Sequence, residues 1–110
     1  MSYYQPKTIL LVWENAKTSE GNDSSIWRKD FAGAWIRRDC YGMKNEYGWE
    51  IGKVVPASHS GTDEMSNLQA MHWRNNEAKG DSFPTFISEI SSKGSENVEQ
   101  VHNWIIKTDD

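Results

Sequence analysis

Tyr47-Gly48-Trp49-Glu50-Ile51-Gly52-Lys53-Val54-Val55-Pro56 is the stretch on which the fold turns. From Trp49 to Val55 apolar and polar side chains alternate, the period of a half-buried strand. Pro56 ends it, because proline has no N–H to give to a strand ladder. Ser58-His59-Ser60-Gly61-Thr62 then reads as an exposed loop. Leu68 to Met71 is a short second strand. His72 to Lys79 reads as a helix, with Gly80 just past its end as a C-cap. Strand, loop, strand and helix in succession place the chain in the α+β class.

On the N-terminal side, Thr8-Ile9-Leu10-Leu11-Val12-Trp13 is an unbroken apolar run, read as a strand or buried extended lead-in. The polar stretch from Lys17 to Ser25 is a loop, and Ser24 or Ser25 is placed to cap a short helical turn carrying Ile26, Trp27 and Phe31. Ala34 to Arg38 is extended, and the turn Tyr41-Gly42 follows. From Ser82 the composition changes. Ser91-Ser92-Lys93-Gly94-Ser95 punctuates the chain, and Ser95 with Glu96 predicts the N-terminus of a last helix over about 95–107. Val98, Val101 and Ile105 recur there at helical spacing, with Trp104 beside them. Length predicts a single domain over 1–110, with 82–110 as a C-terminal extension.

Hydrophobic residues are only 36% of the chain, but six Trp, four Tyr and three Phe each bury a large area. A small, aromatic-rich core is expected. The net charge of -4 argues against a domain held on nucleic acid mainly by phosphate contacts. The charge is unevenly placed: Ile26 to Gly80 holds eight Lys/Arg against seven Asp/Glu, and the flanks hold four against nine. Cys40 stands alone, which excludes an intramolecular disulfide and a multi-cysteine zinc site. Thr8 to Trp13 is too short to span a bilayer, and the first residues lack a signal peptide's basic-then-apolar order. No membrane association and cytoplasmic residence are the expectations.

Read in order, Val12-Trp13, Trp27-Arg28-Lys29-Asp30, Gly33-Ala34-Trp35-Ile36, Tyr47 to Ile51, Val55-Pro56, Ser66-Asn67-Leu68-Gln69, Trp73, Asn75-Asn76 and Lys79-Gly80-Asp81 resemble one prokaryotic and phage-type branch of the HNH endonucleases. Each fragment alone is weak; their order and spacing across 12–81 are more specific. The resemblance implies a ββα-metal core, a β-hairpin plus a helix, with one divalent metal held between them. Its pattern runs Glu-Ile-Asp-His, then an Asn before the second strand, then a His or Asn on the helix. The Asp and the helix residue hold the metal, the His activates water, and the middle Asn orients that His and braces the loop. Asn67 matches the middle Asn and Asn76 the helix ligand. Gly52 stands at the Asp position and Lys53 at the His position.

Both departures fall on the chemistry. Glycine offers no side-chain oxygen to a hard cation. A lysine ammonium ordinarily keeps its proton to about pH 10, which makes it a poor base near neutrality. No metal and no cofactor are therefore expected, and Gly52, Lys53, Asn67 and Asn76 read as vestigial positions. The expectation for Lys53 is that its ammonium fills the emptied site beside Asn67 and Asn76. His59 is the loop histidine that could approach the site. His72 is expected to pack or cap, and Trp35, Trp49 and Trp73 to be framework aromatics.

Three functions fit. The preferred one is a catalytically inactive HNH-like scaffold that binds a protein partner. It would act as a phage or mobile-element inhibitor or regulator of a host nucleic-acid-acting complex, for example a CRISPR or restriction assembly. The second is nucleic-acid binding without cleavage, with Arg28, Lys29, Arg37, Arg38, Arg74 and Lys79 on the phosphates. The third is an active metal-dependent nuclease using Lys53 or His59 as a non-standard base.

Overall fold

A hairpin and the helix that leaves it form the centre of the molecule. In the computed structural model, which describes residues 4–107, β3 (Trp49–Lys53) pairs antiparallel with β4 (Leu68–His72). Glu50 stands opposite Met71 and Gly52 opposite Gln69. Helix α2 (Trp73–Lys79) starts where β4 ends, and Gly80 closes it with a positive φ of 50°. Both strands and the helix fall within a residue or two of the sequence expectation. The class is α+β, with two helices and three two-stranded antiparallel sheets among the described residues.

The N-terminal segment is not extended. Pro6–Glu14 forms α1, with proline in its first turn, where a missing N–H costs nothing. Ile9, Val12, Trp13 and Ala16 fall at helical spacing and turn toward the core, while Leu10 and Leu11 stay partly exposed. The unbroken run concealed that stripe. Nor do Trp27 and Phe31 share a helical turn. Asp23 accepts hydrogen bonds from the Ser25 N–H and hydroxyl, forming one tight turn. Trp27 then opens β1 (Trp27–Lys29), which pairs with β2 (Trp35–Arg37).

The expected C-terminal helix at 95–107 is a β-hairpin. β5 (Thr85–Lys93) and β6 (Glu96–Ile105) join through Gly94-Ser95. Gly94 has a φ of 61°, the positive value that a two-residue type II′ turn needs at its first position. Between the pairs Ser88–His102 and Ile90–Glu99, β5 has one residue, Glu89, and β6 has two, Gln100 and Val101. This bulge explains the misreading. An extra residue converts a period of two into a step of three from Val98 to Val101, and two ordinary strand steps make the four from Val101 to Ile105. Together they imitate a helix.

The apolar core joins α1 to the central hairpin through Val12, Trp13, Ile36, Trp49, Leu68 and Ala70. Trp13 and Trp49 meet with ring centroids 5.4 Å apart, and Tyr41 stands edge-on to Trp49 at 4.9 Å. A second, polar centre holds the remaining parts. Asp30, only 1% exposed, accepts the N–H groups of Ala32 (3.0 Å), Ala34 (2.9 Å) and His72 (2.9 Å), and the Asn75 amide (3.0 Å). Asn75 in turn accepts the Glu89 and Ile90 N–H groups, each at 2.8 Å, and donates to the Ile90 carbonyl. The β1–β2 turn, the β4–α2 junction and β5 are thereby tied to one carboxylate. The last hairpin is also pinned to β2: Asn97 exchanges hydrogen bonds with both backbone groups of Trp35.

Burial pushes the Asp30 carboxyl above its ordinary range, and the four donated hydrogen bonds pull it back. All four neighbours are donors, so the site is built for the ionised form. Asp30→Ala would leave three backbone N–H groups and one amide buried without an acceptor. Each such orphan costs about 1–3 kcal/mol. The expected loss is about 3 kcal/mol or more, measured as a lower urea midpoint at unchanged m-value.

Candidate functional site

The position left by Gly52 opens at the floor of a cleft of about 580 Å³, lined by Tyr4, Tyr41, Glu50, Gly52, Lys53 and Asn76 among others. Met71, across the ladder and 1% exposed, turns its sulfur toward Gly52. A Cβ at position 52 would collide with that sulfur and stand 2.7 Å from the Asn76 Oδ1. Asn76 is itself engaged, its Nδ2 donating to the Glu50 carboxylate at 2.9 Å. A side chain at position 52 would require the ends of the Met71 thioether and the Asn76 amide to shift.

Lys53 does not fill this space. Its ammonium turns outward to Asp63 at 3.3 Å, and the Tyr4 hydroxyl donates to the same carboxylate at 3.2 Å. Burial, followed by the Asp63 charge, raises the Tyr4 pKa; burial and then Glu50 raise that of Tyr41. Asn67 is committed to the loop. Its Oδ1 accepts the Val55 N–H at 2.8 Å, and its Nδ2 donates to the carbonyls of Val55 at 3.0 Å and Thr62 at 2.8 Å. Asn67 therefore closes the loop between β3 and β4 by both ends. His59 sits in a short turn (Ala57–His59), its ring 5.0 Å from Phe83.

The metal implied by the resemblance does not fit this donor set. Gly52 contributes nothing, Asn67 is spent on backbone groups, and the Asn76 amide already serves Glu50. Beside position 52 a divalent cation preferring several oxygen ligands meets the neutral Asn76 amide oxygen and the Met71 sulfur, while the Glu50 carboxylate of the same cleft is engaged by the Asn76 Nδ2. Among the described residues, no three His, Cys, Asp or Glu side chains converge on a point where an ion could sit.

The six basic residues expected on phosphates do not form one free surface. Arg28 is a structural brace: its guanidinium donates to the carbonyls of Ser24, Glu14 and Ala16, closing the end of α1. Arg37 pairs with Asp39 at 3.0 Å, and Arg74 is held between Glu89 and Glu99. Lys29 lies over the Trp35 ring at 4.6 Å. Lys79 is only 2% exposed, so it cannot reach a phosphate from this position. Its ammonium has no hydrogen-bond partner among the described residues and lies 5.1 Å from the Phe86 ring centroid. Burial lowers its pKa, against a small pull from Asp81. Arg38 is exposed and makes no ion pair among the described residues.

Sequence reasoning passed over Asp30, Glu50 and Asn75. All three lie in the fragments that carry the resemblance, but nothing in their spacing announces the burial of Asp30 and Asn75 or the bond from Asn76 to Glu50. His72 packs and caps as expected, and its geometry fixes its tautomer. Nε2 lies 2.9 Å from the Glu46 carbonyl and must donate; Nδ1 lies 3.2 Å from the Arg74 N–H and must accept. Only the neutral ring satisfies both.

Two outcomes follow for this region. Gly52→Ala is expected to destabilise by about 1–3 kcal/mol through overpacking, and in a double-mutant cycle followed by urea melts its cost should be smaller in a Met71→Ala background. The second concerns pH. Burial lowers the His72 pKa, with the Arg74 charge adding to this and the Glu46 carbonyl and Asp30 opposing it. A depressed folded value means that its contribution is full above about pH 6.5, the unfolded value, and is lost as pH falls through the folded one. Over that window the wild type should lose up to about 1.4 kcal/mol per pH unit relative to His72→Asn, which still caps the helix. Parallel pH curves for the two proteins would refute it.

No protein-family model, curated protein or solved structure matches this chain, so its function has to be read from the geometry of the cleft and the surface around it.

Proposed function

We propose that this chain is a catalytically silent, HNH-like hairpin-and-helix scaffold that works by binding a protein. The observation that carries this reading is the closed floor of the cleft. The space where a metal-holding aspartate would project is taken by the Met71 sulfur and the Asn76 amide. Asn67 keeps a purely architectural task in holding the loop above the cleft.

The partner class follows from charge. A net charge of -4 and the capture of Arg37 and Arg74 by carboxylates leave little free positive surface for a phosphate backbone. An acidic protein is suited to basic surfaces, including those that otherwise take nucleic acid. A phage or mobile-element inhibitor or regulator of a host CRISPR or restriction complex is the biological form that suits this chemistry.

Plasmid nicking in Mg²⁺, Mn²⁺ and Zn²⁺ should remain at the buffer level. Affinity capture from nuclease-treated bacterial lysate should return a stoichiometric protein. Nicking abolished by Asn76→Ala would instead establish an active nuclease. Capture that vanishes on nuclease treatment, with steeply salt-dependent DNA binding, would establish the nucleic-acid alternative.

A further inference from the structure

The cleft beside Gly52 has committed its side-chain donors and kept its acceptors. The Asn76 Nδ2 donates to one oxygen of Glu50, the Tyr4 hydroxyl donates to Asp63, and the Lys53 ammonium pairs with that same Asp63 carboxylate. Among the described residues, neither the second Glu50 oxygen nor the Asn76 Oδ1, which faces Gly52, accepts a hydrogen bond. Both residues are half-buried in the lining of the cleft. Neither atom is sealed from it, because the Lys79 ammonium is the one fully buried side-chain polar atom without a partner among the described residues. Lys44, whose charge also reaches Glu50, is bound to Glu77 at 2.7 Å. Burial first, and then the Glu50 charge, raises the Tyr41 pKa, which sets that phenol near the carboxylate.

We propose that this cleft receives an arginine side chain of the protein partner, its guanidinium donating to the free oxygen of Glu50 and to the Asn76 Oδ1. The donor–acceptor balance selects that group. A guanidinium carries five N–H donors and no acceptor, whereas a phosphate or carboxylate would bring more acceptors to a site that already has them in excess. Its planar fork matches a carboxylate and packs against aromatic rings, and Tyr4 and Tyr41 line the same space. A lysine ammonium, a strongly hydrated point charge, uses neither feature as well. The cleft, at about 580 Å³, has room for the side chain and some of the flanking main chain. This inference rests on the protein-binding reading above and names its point of contact.

Two-dimensional ¹H–¹⁵N NMR of the full chain, titrated with N-acetyl-arginine amide to about 50 mM, the weak range suited to one side chain, tests the site itself. The Gly52 N–H and the Asn76 side-chain amide should shift saturably. The citrulline and lysine counterparts should bind at least about fivefold more weakly. Glu50→Gln keeps an oxygen to accept from Asn76 but turns the free acceptor into a donor, and should weaken the arginine probe about tenfold. Asp81→Lys, at an exposed position of the lining, should also weaken it through added positive charge, and serves if Glu50→Gln unfolds. No saturable shift at these signals overturns the proposal, as does an equal response to the citrulline or lysine probe. Shifts produced by Mg²⁺ and not by the arginine probe overturn it too. Capture from lysate separates this inference from the reading beneath it. A protein captured equally by wild type and Glu50→Gln overturns the arginine contact and leaves the protein-binding reading standing. Probe binding with no captured protein supports the guanidinium site and sinks that reading.

Discussion

The Asp30 carboxylate and the Asn75 amide are the interaction on which the remainder of the structure depends. Three small two-stranded sheets cannot by themselves make a domain, since an isolated hairpin is marginal in water. The apolar core joins α1 to the central hairpin but does not extend under β5 and β6 in the same continuous way. Asp30 and Asn75 supply the missing connection: four donors converge on one carboxylate, and Asn75 carries the link onward to β5. Burying such a group is costly, and the geometry meets that cost with complete hydrogen bonding. The β4–α2 junction is held in place because the His72 N–H is one of those four donors.

That rigidity has a consequence for the cleft. With β4 and α2 fixed relative to each other, Met71 and Asn76 are presented to Gly52 from two elements at once. Packing has replaced coordination. Glu50 holds the Asn76 amide, and the Lys53 ammonium is drawn outward by Asp63. The side chains that a nuclease of the resembled kind would devote to metal and water thus serve intramolecular partners. The same holds on the surface, where Arg28 and Arg74 are occupied by carbonyls or carboxylates of their own chain.

Much of the central fold could be read directly. Alternation from Trp49, the stop at Pro56, the second strand at Leu68 and the glycine after Lys79 are local signals, and each marks an element boundary by steric or hydrogen-bonding rules. Two of the three misread segments share a cause. In α1 a full apolar run masks the helical stripe, and in β6 a bulge shifts an alternating pattern into a helical one. In both cases periodicity was present but its phase was set by what the segment packs against. The cleft was legible only as an inventory: the identities at 52, 53, 67 and 76 say which chemistry is missing, not what occupies the space.

The sequence alone determined that Gly52 offers no ligand, that the chain is acidic, and that a strand, loop, strand and helix follow one another from Trp49. These depend on side-chain identity and local backbone preference. Tertiary structure decided that Met71 and Asn76 crowd position 52 and that the Lys53 ammonium pairs with Asp63. It also decided that Lys79 and Asp30 are buried, and that the C-terminal segment is a hairpin. Each of these is a contact between residues far apart in the chain, and burial arises only when distant surfaces are brought together.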